Sequence, residues 1–298
     1  MGYEQIIWEK DAEKKILRIT LNRPEKRNAM GIPMLDEIIT ALDEAAWDDE
    51  VKVVVIKGAG PCLTSGHDLD EVVKFYPQGK RRSQRDRVNR DRRWRAEKWW
   101  RIYSFNKPII VQVHGYAMAA GVVLCMIADI VVAADDAQFS FAPLRFGGPI
   151  EEYILPLEIQ TLGLRNAKYA MYTGAAIDAK EAKEMNMITK AVPPDKLEEE
   201  VNKIAQAVAL LPLDGLVLSK EWINMTLGMM GVMPGFIPGY LGHSLWSNIH
   251  YEPDEYNFLK SVREKGMREA FRVRDGRFEG LVKGLDIPNK ASEKEAGT

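Results

Sequence analysis

Two short turns rich in small residues could do chemistry through their backbone amides. One reads TSGHDLD at 64–70, and the other reads HGYAMAAG at 114–121. Each follows an apolar stretch typical of a buried strand and precedes a helical stretch. A small-residue turn at a helix start leaves backbone N–H groups pointing outward. Two such turns side by side would stabilise a carbonyl oxygen that gains negative charge.

Other catalytic signatures find little support in the sequence. The histidines, His67, His114, His243 and His250, are not spaced as metal ligands, and there is no CxxC. GxSxG, Walker A and GxGxxG motifs are also absent, so we expect neither a metal site nor a nucleotide-hydrolysis site. A catalytic role for the His67 imidazole stays open, whereas His114 is interpreted as a packed, hydrogen-bonded side chain.

Alternating strands and helices must position the two turns. This alternation predicts an α/β fold with right-handed crossovers. The stretch 51–57 is almost continuously apolar, which is typical of a parallel strand buried on both faces. Asp178 followed by Glu181 predicts a capped helix start. Further strands are predicted at 16–21, near Ile109 and at 130–133, and helices at 33–47, from Leu69, from Ala119 and at 197–211.

Composition is that of a globular protein. The 298 residues are 46% hydrophobic, too apolar for disorder, and the net charge of −2 argues against a polyanion binder. Cys62 and Cys125 lie in apolar surroundings, so we expect buried thiols in a reducing, cytoplasmic compartment. No signal peptide is expected. The uncharged stretch 108–128 is long enough to span a bilayer, but its glycines and β-like ends favour a strand, a turn and a buried helix.

Two segments each admit more than one interpretation. Residues 80–101 hold eleven Lys or Arg, which predicts either a phosphate or nucleic-acid contact or a long solvated helix. The helical spacing of Trp99 and Tyr103 favours the helix, and nucleic acid is the least expected partner. Residues 225–240 are rich in Met, Gly and Pro and carry no charge. They predict an acyl-lining lid, a subunit contact or an ordered apolar loop.

Four longer motifs, ITLNRPEKRNAM, VVVIKGAGPCLTSGHDLDEV, NKPIIVQVHGYAMAAGVVLCMIADIVVAADDAQFSF and YTGAAIDAKEAKEMNMITKAV, occur in this order within residues 4–215. On these motifs the sequence resembles the crotonase family, also called the enoyl-CoA hydratase/isomerase superfamily. The resemblance implies a crotonase-like spiral of ββα repeats over residues 1–215. A helical C-terminal region over residues 216–298 would then build trimers or hexamers.

The resemblance also implies an acyl-CoA thioester substrate, with no cofactor apart from the coenzyme A of the substrate. The thioester oxygen would lie in an oxyanion hole made by the N–H groups of His67 and Ala120, and an enolate would be the intermediate. Arg23, Glu25, Lys26 and Leu69 would lie near the CoA nucleotide. The residues expected to contact substrate are Arg23, Glu25, Lys26, Ser65, Gly66, Asp68, Leu69, Tyr116, Gly121, Pro143 and Arg145.

The sequence departs from the hydratase pattern at the two glutamates that position and deprotonate water. Val123 and Pro143 occupy their places, and neither side chain transfers protons. Other branches of the family place a carboxylate further along the chain, at a position that falls on Glu151. Glu151 is therefore the candidate general base or acid, with Glu152 beside it as the alternative.

A decarboxylating branch of the superfamily carries a His in the first turn and a Pro at the second glutamate position. His67 and Pro143 resemble that pattern, although Ile150 stands where that branch has a Tyr, and Tyr153 comes three residues later. We therefore expect an enzyme of the enoyl-CoA hydratase/isomerase class. Decarboxylation, hydrolysis of a C–C bond, and non-catalytic binding of CoA esters or RNA remain alternatives. The tryptophans in the region 94–100 and the segment 225–240 suggest a bulky or cyclic acyl group.

Overall fold

The computed structural model describes residues 2–75, 83–141, 143–148, 154–245 and 249–285. Its strands are β1 (Ile6–Asp11), β2 (Ile16–Leu21), β3 (Val53–Gly58), β4 (Ile109–Val113), β5 (Tyr116–Met118), β6 (Ile130–Ala134), β7 (Gln138–Ser140), β8 (Ile177–Asp178) and β9 (Lys190–Val192). Its helices are α1 (Ile32–Ala46), α2 (Leu69–Phe75), α3 (Gln84–Asp91), α4 (Glu97–Tyr103), α5 (Ala120–Ile127), α6 (Leu155–Leu162), α7 (Leu164–Thr173), α8 (Ala179–Glu184), α9 (Leu197–Ala209), α10 (Leu213–Met229), α11 (Val232–Ser244), α12 (Phe258–Lys265) and α13 (Met267–Gly276).

The main sheet has the strand order β1-β2-β3-β4-β6-β9. β1 pairs antiparallel with β2, and the other neighbours pair in parallel. The apolar stretch of β3 lies in the middle of this sheet, with residues 53–56 buried. Helix α1 packs on β1 and β2, and α9 packs on the strands from β2 to β6. The predicted α/β fold and the buried parallel strand are confirmed.

A smaller sheet, in the order β5-β7-β8, brings the two turns together. The first turn joins it through a parallel bridge between Thr64 and Ala117. The Thr64 N–H donates to the Tyr116 carbonyl at 3.3 Å, and the Met118 N–H donates to the Thr64 carbonyl at 3.2 Å. The start of the first turn therefore pairs with β5, and β5 is itself part of the second turn.

The described part of the basic segment is continuously helical over residues 84–103, as the helix interpretation predicts. A π-helical turn at Arg92–Ala96 separates α3 from α4. Ser83 caps α3 by accepting a hydrogen bond from the Asp86 N–H at 3.2 Å. Trp99 and Tyr103 are buried, as their spacing predicts. α3 and the π-helical turn pack against α11, and α4 packs against α1.

Residues 225–240 are mostly helical, so the interpretation as an apolar loop is wrong. They form the end of α10 and the first part of α11. Phe236 packs its ring at 5.2 Å from Trp100 and 5.4 Å from Tyr103, measured between centroids. The opposite side carries exposed apolar residues, including Trp222 at 66% and Met229 at 74% exposure. One side of this helical pair thus contacts the core, and the other presents apolar surface.

The last two described helices rest on the segment that follows β7. Phe146 in that segment meets Phe258 of α12 and Phe271 of α13 edge-on, with centroids 4.6 and 5.8 Å away. Tyr251 donates its hydroxyl to the Gly147 carbonyl at 2.9 Å. These contacts bring α12 and α13 to the same side of the molecule as the two turns.

The uncharged stretch 108–128 forms β4, β5 and the buried helix α5, as predicted. No single helix in the described ranges has the length and apolar character needed to cross a membrane, although one pair sharply bent by 102° passes that test jointly. Cys62 and Cys125 are both buried, and burial raises the pKa of the Cys125 thiol to about 12.

Candidate active site

A cavity of about 920 Å³ lies beside the two turns. Its wall includes residues of both turns, of the segment 143–148 and of α13. The predicted site residues on this wall are Lys26, Ser65, His67, Asp68, Leu69, Tyr116, Pro143 and Arg145. Within the described part of the chain, the wall does not include Arg23, Glu25, Gly66, Ala120 or Gly121. Glu151 and Glu152, with Ile150 and Tyr153, lie outside the described residues.

Side-chain hydrogen bonds hold the first turn. Thr64 Oγ1 donates to the Asn28 carbonyl at 2.6 Å and accepts from the Gly66 N–H at 3.0 Å. The Gly66 carbonyl accepts from the Met30 N–H at 2.7 Å, and the residue after His67 donates its N–H to the Met30 carbonyl at 3.1 Å. Both neighbours of His67 are thereby tied to the same strand-like pairing, which fixes the backbone of His67 between them.

Backbone strain shapes the second turn. Ala119 has φ 43° and ψ −105°, a conformation that residues with a Cβ rarely adopt. Its N–H donates to the Ser140 carbonyl, and its carbonyl accepts from the Val123 N–H, both at 3.0 Å. Ala120 is the first residue of α5. The N–H group of a first helical residue has no carbonyl oxygen within the helix to bond. Strain of this kind clusters at functional sites.

Two glycines allow the turns to touch. A Cβ on Gly66, where φ is +95°, would lie 2.7 Å from the Met118 carbonyl oxygen. A Cβ on Gly121 would lie 2.6 Å from Thr64 Cγ2. Both distances are shorter than real Cβ contacts, so any side chain there would push the turns apart. The turns therefore lie in contact, which two amides need in order to reach one oxygen atom.

The polar loop at 22–28 braces the first turn. Arg23 Nη1 donates to Asp68 Oδ2 at 2.9 Å, so the structure gives Arg23 a supporting position off the cavity wall. Lys26 lies on the wall and bonds Asp70 at 2.7 Å. That hydrogen bond raises the pKa of Lys26 and lowers the pKa of Asp70. Glu25 is exposed and lies off the wall.

Arginines and phenylalanines from later parts of the chain than the two turns form another part of the cavity wall. The Arg145 guanidinium lies 4.1 Å from the Phe278 ring centroid, and burial lowers the pKa of Arg145. The Arg274 guanidinium lies 4.4 Å from the Phe146 ring centroid and donates to both carboxylate oxygens of Asp275, at 2.8 and 2.9 Å. Arg145 Nη1 also lies 3.8 Å from Asp275 Oδ1, so this residue helps to join α13 to the core as well as lining the cavity.

Few groups on the described wall could transfer a proton near neutral pH. Three of its four carboxylates are held in ion pairs, and the fourth, Glu279, is exposed. His67 and His243 are the histidines on this part of the wall. Val123 is buried within α5, and Pro143 lies on the wall, so neither hydratase position supplies a carboxylate.

Sequence reasoning missed His243 and the aromatic wall. His243 is only 4% exposed and reaches the cavity from α11. The uncharged segment just before it indicated a buried surface, but nothing marked that histidine as part of the site. Phe258 and Phe271 could have been found from the apolar spacing of α12 and α13. In the part of the chain that the structure describes, no group of His, Cys, Asp or Glu could hold a metal ion.

Known proteins resemble this arrangement along most of the chain. The sequence profile of the enoyl-CoA hydratase/isomerase family matches residues 11–230. The chain therefore belongs to the enoyl-CoA hydratase/isomerase family, the crotonase superfamily that the four motifs indicate. A crystal structure of an enoyl-CoA hydratase/isomerase from Xanthobacter autotrophicus Py2 is 29% identical, with a TM-score of 0.81 over 94% of this chain and 100% of that one. The expected crotonase fold with a helical C-terminal region is confirmed.

Two curated relatives have more specific names. The chain is 29% identical over 203 residues to the 2,3-dehydroadipyl-CoA hydratase of Escherichia coli K12, covering 66% of this chain and 73% of that protein. It is 30% identical over 198 residues to the hydroxycinnamoyl-CoA hydratase-lyase of Pseudomonas fluorescens, covering 66% of this chain and 70% of that protein. Both relatives act on CoA thioesters according to their names. The two names differ in the acyl group.

Proposed function

We propose that this protein acts on acyl-CoA thioesters and stabilises an enolate in an oxyanion hole made by the N–H groups of His67 and Ala120. The observation that carries the proposal is the contact between the two turns at the edge of the cavity. Preorganised backbone donors aimed at developing negative charge are usually the largest single catalytic contribution, about 10²- to 10³-fold per donor. Family membership supports an enzyme of this superfamily.

The volume of the cavity suits an acyl-CoA thioester, in which coenzyme A is part of the substrate. Its volume of about 920 Å³ lies in the range of ligand pockets, about 300–1,000 Å³. Lys26 and Leu69 are proposed to lie near the CoA nucleotide, and Tyr116 and Pro143 near the acyl group. Arg23 is proposed to act by bracing Asp68 rather than by touching substrate.

Hydration or isomerisation requires a group that moves a proton at the acyl chain. Glu151 is the proposed carboxylate, with Glu152 as the alternative, because Val123 and Pro143 replace the usual pair. A carboxyl group beside an apolar acyl pocket has a raised pKa, which suits a general acid or base. Glu151→Gln should lower turnover by about 100-fold or more while CoA-ester binding persists. Unchanged turnover would remove Glu151 from the mechanism.

Decarboxylation or C–C bond hydrolysis is the second candidate. It is favoured by His67 and Pro143, which lie on the wall of the same cavity and match the decarboxylase-like pattern. Loss of carbon dioxide from a malonyl-type thioester leaves the electron pair on C2, and that enolate would be held by the same two amides. A malonyl-type substrate that loses 44 mass units, about the mass of carbon dioxide, would favour this candidate.

A non-catalytic role in binding CoA esters is a third candidate, supported by the replaced glutamates. RNA binding through the basic segment has less support. Lys98 pairs with Asp36, Arg101 pairs with Asp43, and Arg92 pairs with Glu97 at 3.2 Å. A steep decrease of RNA affinity with increasing salt concentration would support RNA binding by this segment.

A homotrimer or a hexamer is proposed as the assembly, in the cytoplasm. The exposed apolar side of α10 and α11 supports an assembly, because monomers rarely expose large apolar patches. Light scattering coupled to size-exclusion chromatography tests it. A mass of one chain would contradict the proposal.

The deciding experiment measures product mass after incubation with linear and cyclic 2-enoyl-CoA esters. A gain of one water would establish hydration, and Glu151 and Glu152 would then be mutated. An unchanged mass with migration of the double bond would establish isomerisation. Tight binding with no change in any ester, including malonyl-type and β-diketone esters, would favour the non-catalytic role.

A further inference from the structure

Two arginines with buried side chains lie on the wall of the large cavity. Arg145 follows two residues after Pro143, which is proposed to lie near the acyl group, and Arg274 belongs to α13. The Arg145 side chain is 7% exposed, and the Arg274 side chain is 3% exposed. Burial lowers the pKa of both, yet an arginine keeps its charge in a protein. Two positive charges are therefore enclosed at this end of the cavity.

Within the described residues, the ion pairs of both arginines lead to the same carboxylate, that of Asp275. Arg274 donates to both of its oxygens, whereas Arg145 Nη1 is 3.8 Å from Oδ1, beyond hydrogen-bond distance. The Asp275 side chain is also half-exposed. Glu279 lies on the same wall, but it is exposed and pairs with neither arginine in the part of the chain described. The arginine pair thus carries one positive charge more than its carboxylate partner balances.

Each guanidinium also has one nitrogen without a hydrogen-bond acceptor among the described residues. These atoms are Nη2 of Arg145 and Nη1 of Arg274, and both are buried. The remaining contacts hold the side chains in place, since Arg145 Nε donates to the Thr173 carbonyl at 2.8 Å. A buried donor without an acceptor is costly, and such a group calls for a specific explanation.

Aromatic rings cover the flat faces of both guanidinium groups. Arg145 stacks on Phe278, and Arg274 lies 4.4 Å from the ring centroid of Phe146 and 4.6 Å from that of Phe271. A stacked guanidinium offers only its edges to acceptors, and a carboxylate matches such an edge with its two oxygens. The rings also exclude water, which strengthens the attraction between opposite charges. These surroundings therefore suit a carboxylate.

We propose that Arg145 and Arg274 form a subsite for a carboxylate at the far end of the acyl group, so that the preferred substrates are CoA thioesters of dicarboxylic acids. The ligand carboxylate accepts from Nη2 of Arg145 and Nη1 of Arg274, and its charge balances the excess positive charge. A small movement of the two side chains brings these N–H groups to the ligand, and such changes are common on binding. The inference rests on the proposed function, to which it adds the chemical class of the acyl group.

The test measures the Kd of saturated CoA esters by isothermal titration calorimetry with the full-length protein. Succinyl-, glutaryl- and adipoyl-CoA carry a terminal carboxylate, and butanoyl-, pentanoyl- and hexanoyl-CoA are their neutral counterparts of equal chain length. At the length that reaches the arginine pair, we expect the acidic ester to bind about 10- to 100-fold more tightly than its neutral counterpart, as expected for hydrogen bonds between charged groups. The other lengths should show a smaller ratio.

Substitution of either arginine should remove this preference while the neutral ester still binds. Arg145→Met and Arg274→Met should each bring the ratio of the two Kd values close to 1. Arg277→Met is the matched control, because Arg277 is an exposed arginine that lies 5.5 Å from the Tyr256 ring centroid and off the described wall. It should retain the wild-type ratio. Should a methionine variant not fold, the lysine variant keeps the charge without the planar edge and should give an intermediate ratio.

The same measurements separate this inference from the proposed function. If neutral esters bind and no acidic ester binds more tightly, the inference is overturned and the proposed function stands. An equal loss of affinity for acidic esters, neutral esters and free coenzyme A in the arginine variants would also overturn it, because the pair would then bind the phosphates of coenzyme A. If neither kind of ester binds to the wild-type protein, the proposed function fails and the inference fails with it.

Discussion

The first and second turns occupy neighbouring places but are held by different forces. In the first turn, the Thr64 hydroxyl satisfies both the Asn28 carbonyl and the Gly66 N–H. In the second turn, Ala119 adopts a strained backbone, and Gly121 packs against Thr64. The first turn is therefore held by hydrogen bonds, one of them to the distant Asn28 carbonyl, whereas the strain in the second persists only because its surroundings enforce it.

This difference indicates where tolerance to substitution lies. A hydrogen-bonded turn loses stability when a donor or acceptor is removed, by about 1–3 kcal/mol for a buried group left unsatisfied. A turn that depends on close approach loses stability when any atom is added. The first turn is thus sensitive to the loss of a hydrogen-bonding group, and the contact between the turns, at Gly66 and Gly121, is sensitive to added atoms.

The largest effect is expected for Gly115→Ala in the second turn. The new Cβ would lie 2.1 Å from the Pro61 carbonyl oxygen, at a residue with φ +61°. Overpacking and backbone strain together should lower the free energy of unfolding by about 3 kcal/mol or more, measured by urea denaturation. Gly163→Ala is the control, because Gly163 has φ +75° but nothing within 4 Å of its Cβ. Equal losses in both variants would contradict the close-approach argument.

Gly121→Ala should destabilise the protein by about 2 kcal/mol, and a second substitution should reverse much of the loss. The clash is with Thr64 Cγ2, the methyl group that serine lacks. Thr64→Ser removes that methyl and retains the hydroxyl. A coupling energy of about 1 kcal/mol or more in the double-mutant cycle would link the two turns physically. Strict additivity would mean that they do not press on each other.

Thr64→Val tests the first turn alone. It keeps the shape of the side chain but removes both hydrogen bonds of the hydroxyl, leaving the Asn28 carbonyl and the Gly66 N–H unsatisfied. We expect a loss of about 1–3 kcal/mol in the free energy of unfolding. Thr64→Ser retains both bonds and should lose less. A valine variant as stable as the serine variant would show that the turn does not depend on these bonds.

The smallest effect is expected for Ala119→Gly. Glycine relieves the strain at φ 43° but increases the entropy lost on folding, so the two contributions offset each other to within about 1 kcal/mol. Thermal unfolding should show a shift of only a few degrees, about 2–4 °C at most for a protein of this size. A large loss would mean that the Ala119 methyl group, which packs near Gly66, contributes more than its backbone strain costs.

Local patterns explain why the fold and both turns could be predicted. The strand-to-turn-to-helix order around residues 64–70 and 114–121 depends on neighbours in sequence. The four longer motifs indicated the family. The helical state of residues 225–240 could not be predicted in the same way, because glycine and proline disfavour helices. The helix forms despite this propensity, and its residue Phe236 packs against Trp100 and Tyr103.

The site residues also differ in whether local sequence or distant contacts place them. His67 and Tyr116 reach the cavity wall because the turns carry them there. The bracing position of Arg23 depends on Asp68, and the contact of Arg145 with Phe278 joins distant parts of the chain. Neither pairing has a signal in a single sequence. In the sequence, Arg90 and Asp91 are only part of a basic segment, because no local pattern indicates that this pair is buried.

The late position of α12 and α13 in the chain has a consequence for synthesis. N-terminal parts of a protein generally fold first on the ribosome. A nascent chain that has not yet added Phe258 and the residues after it can form both turns but lacks the aromatic and arginine wall of the cavity. The wall of the cavity is therefore complete only after α12 and α13 have been synthesised.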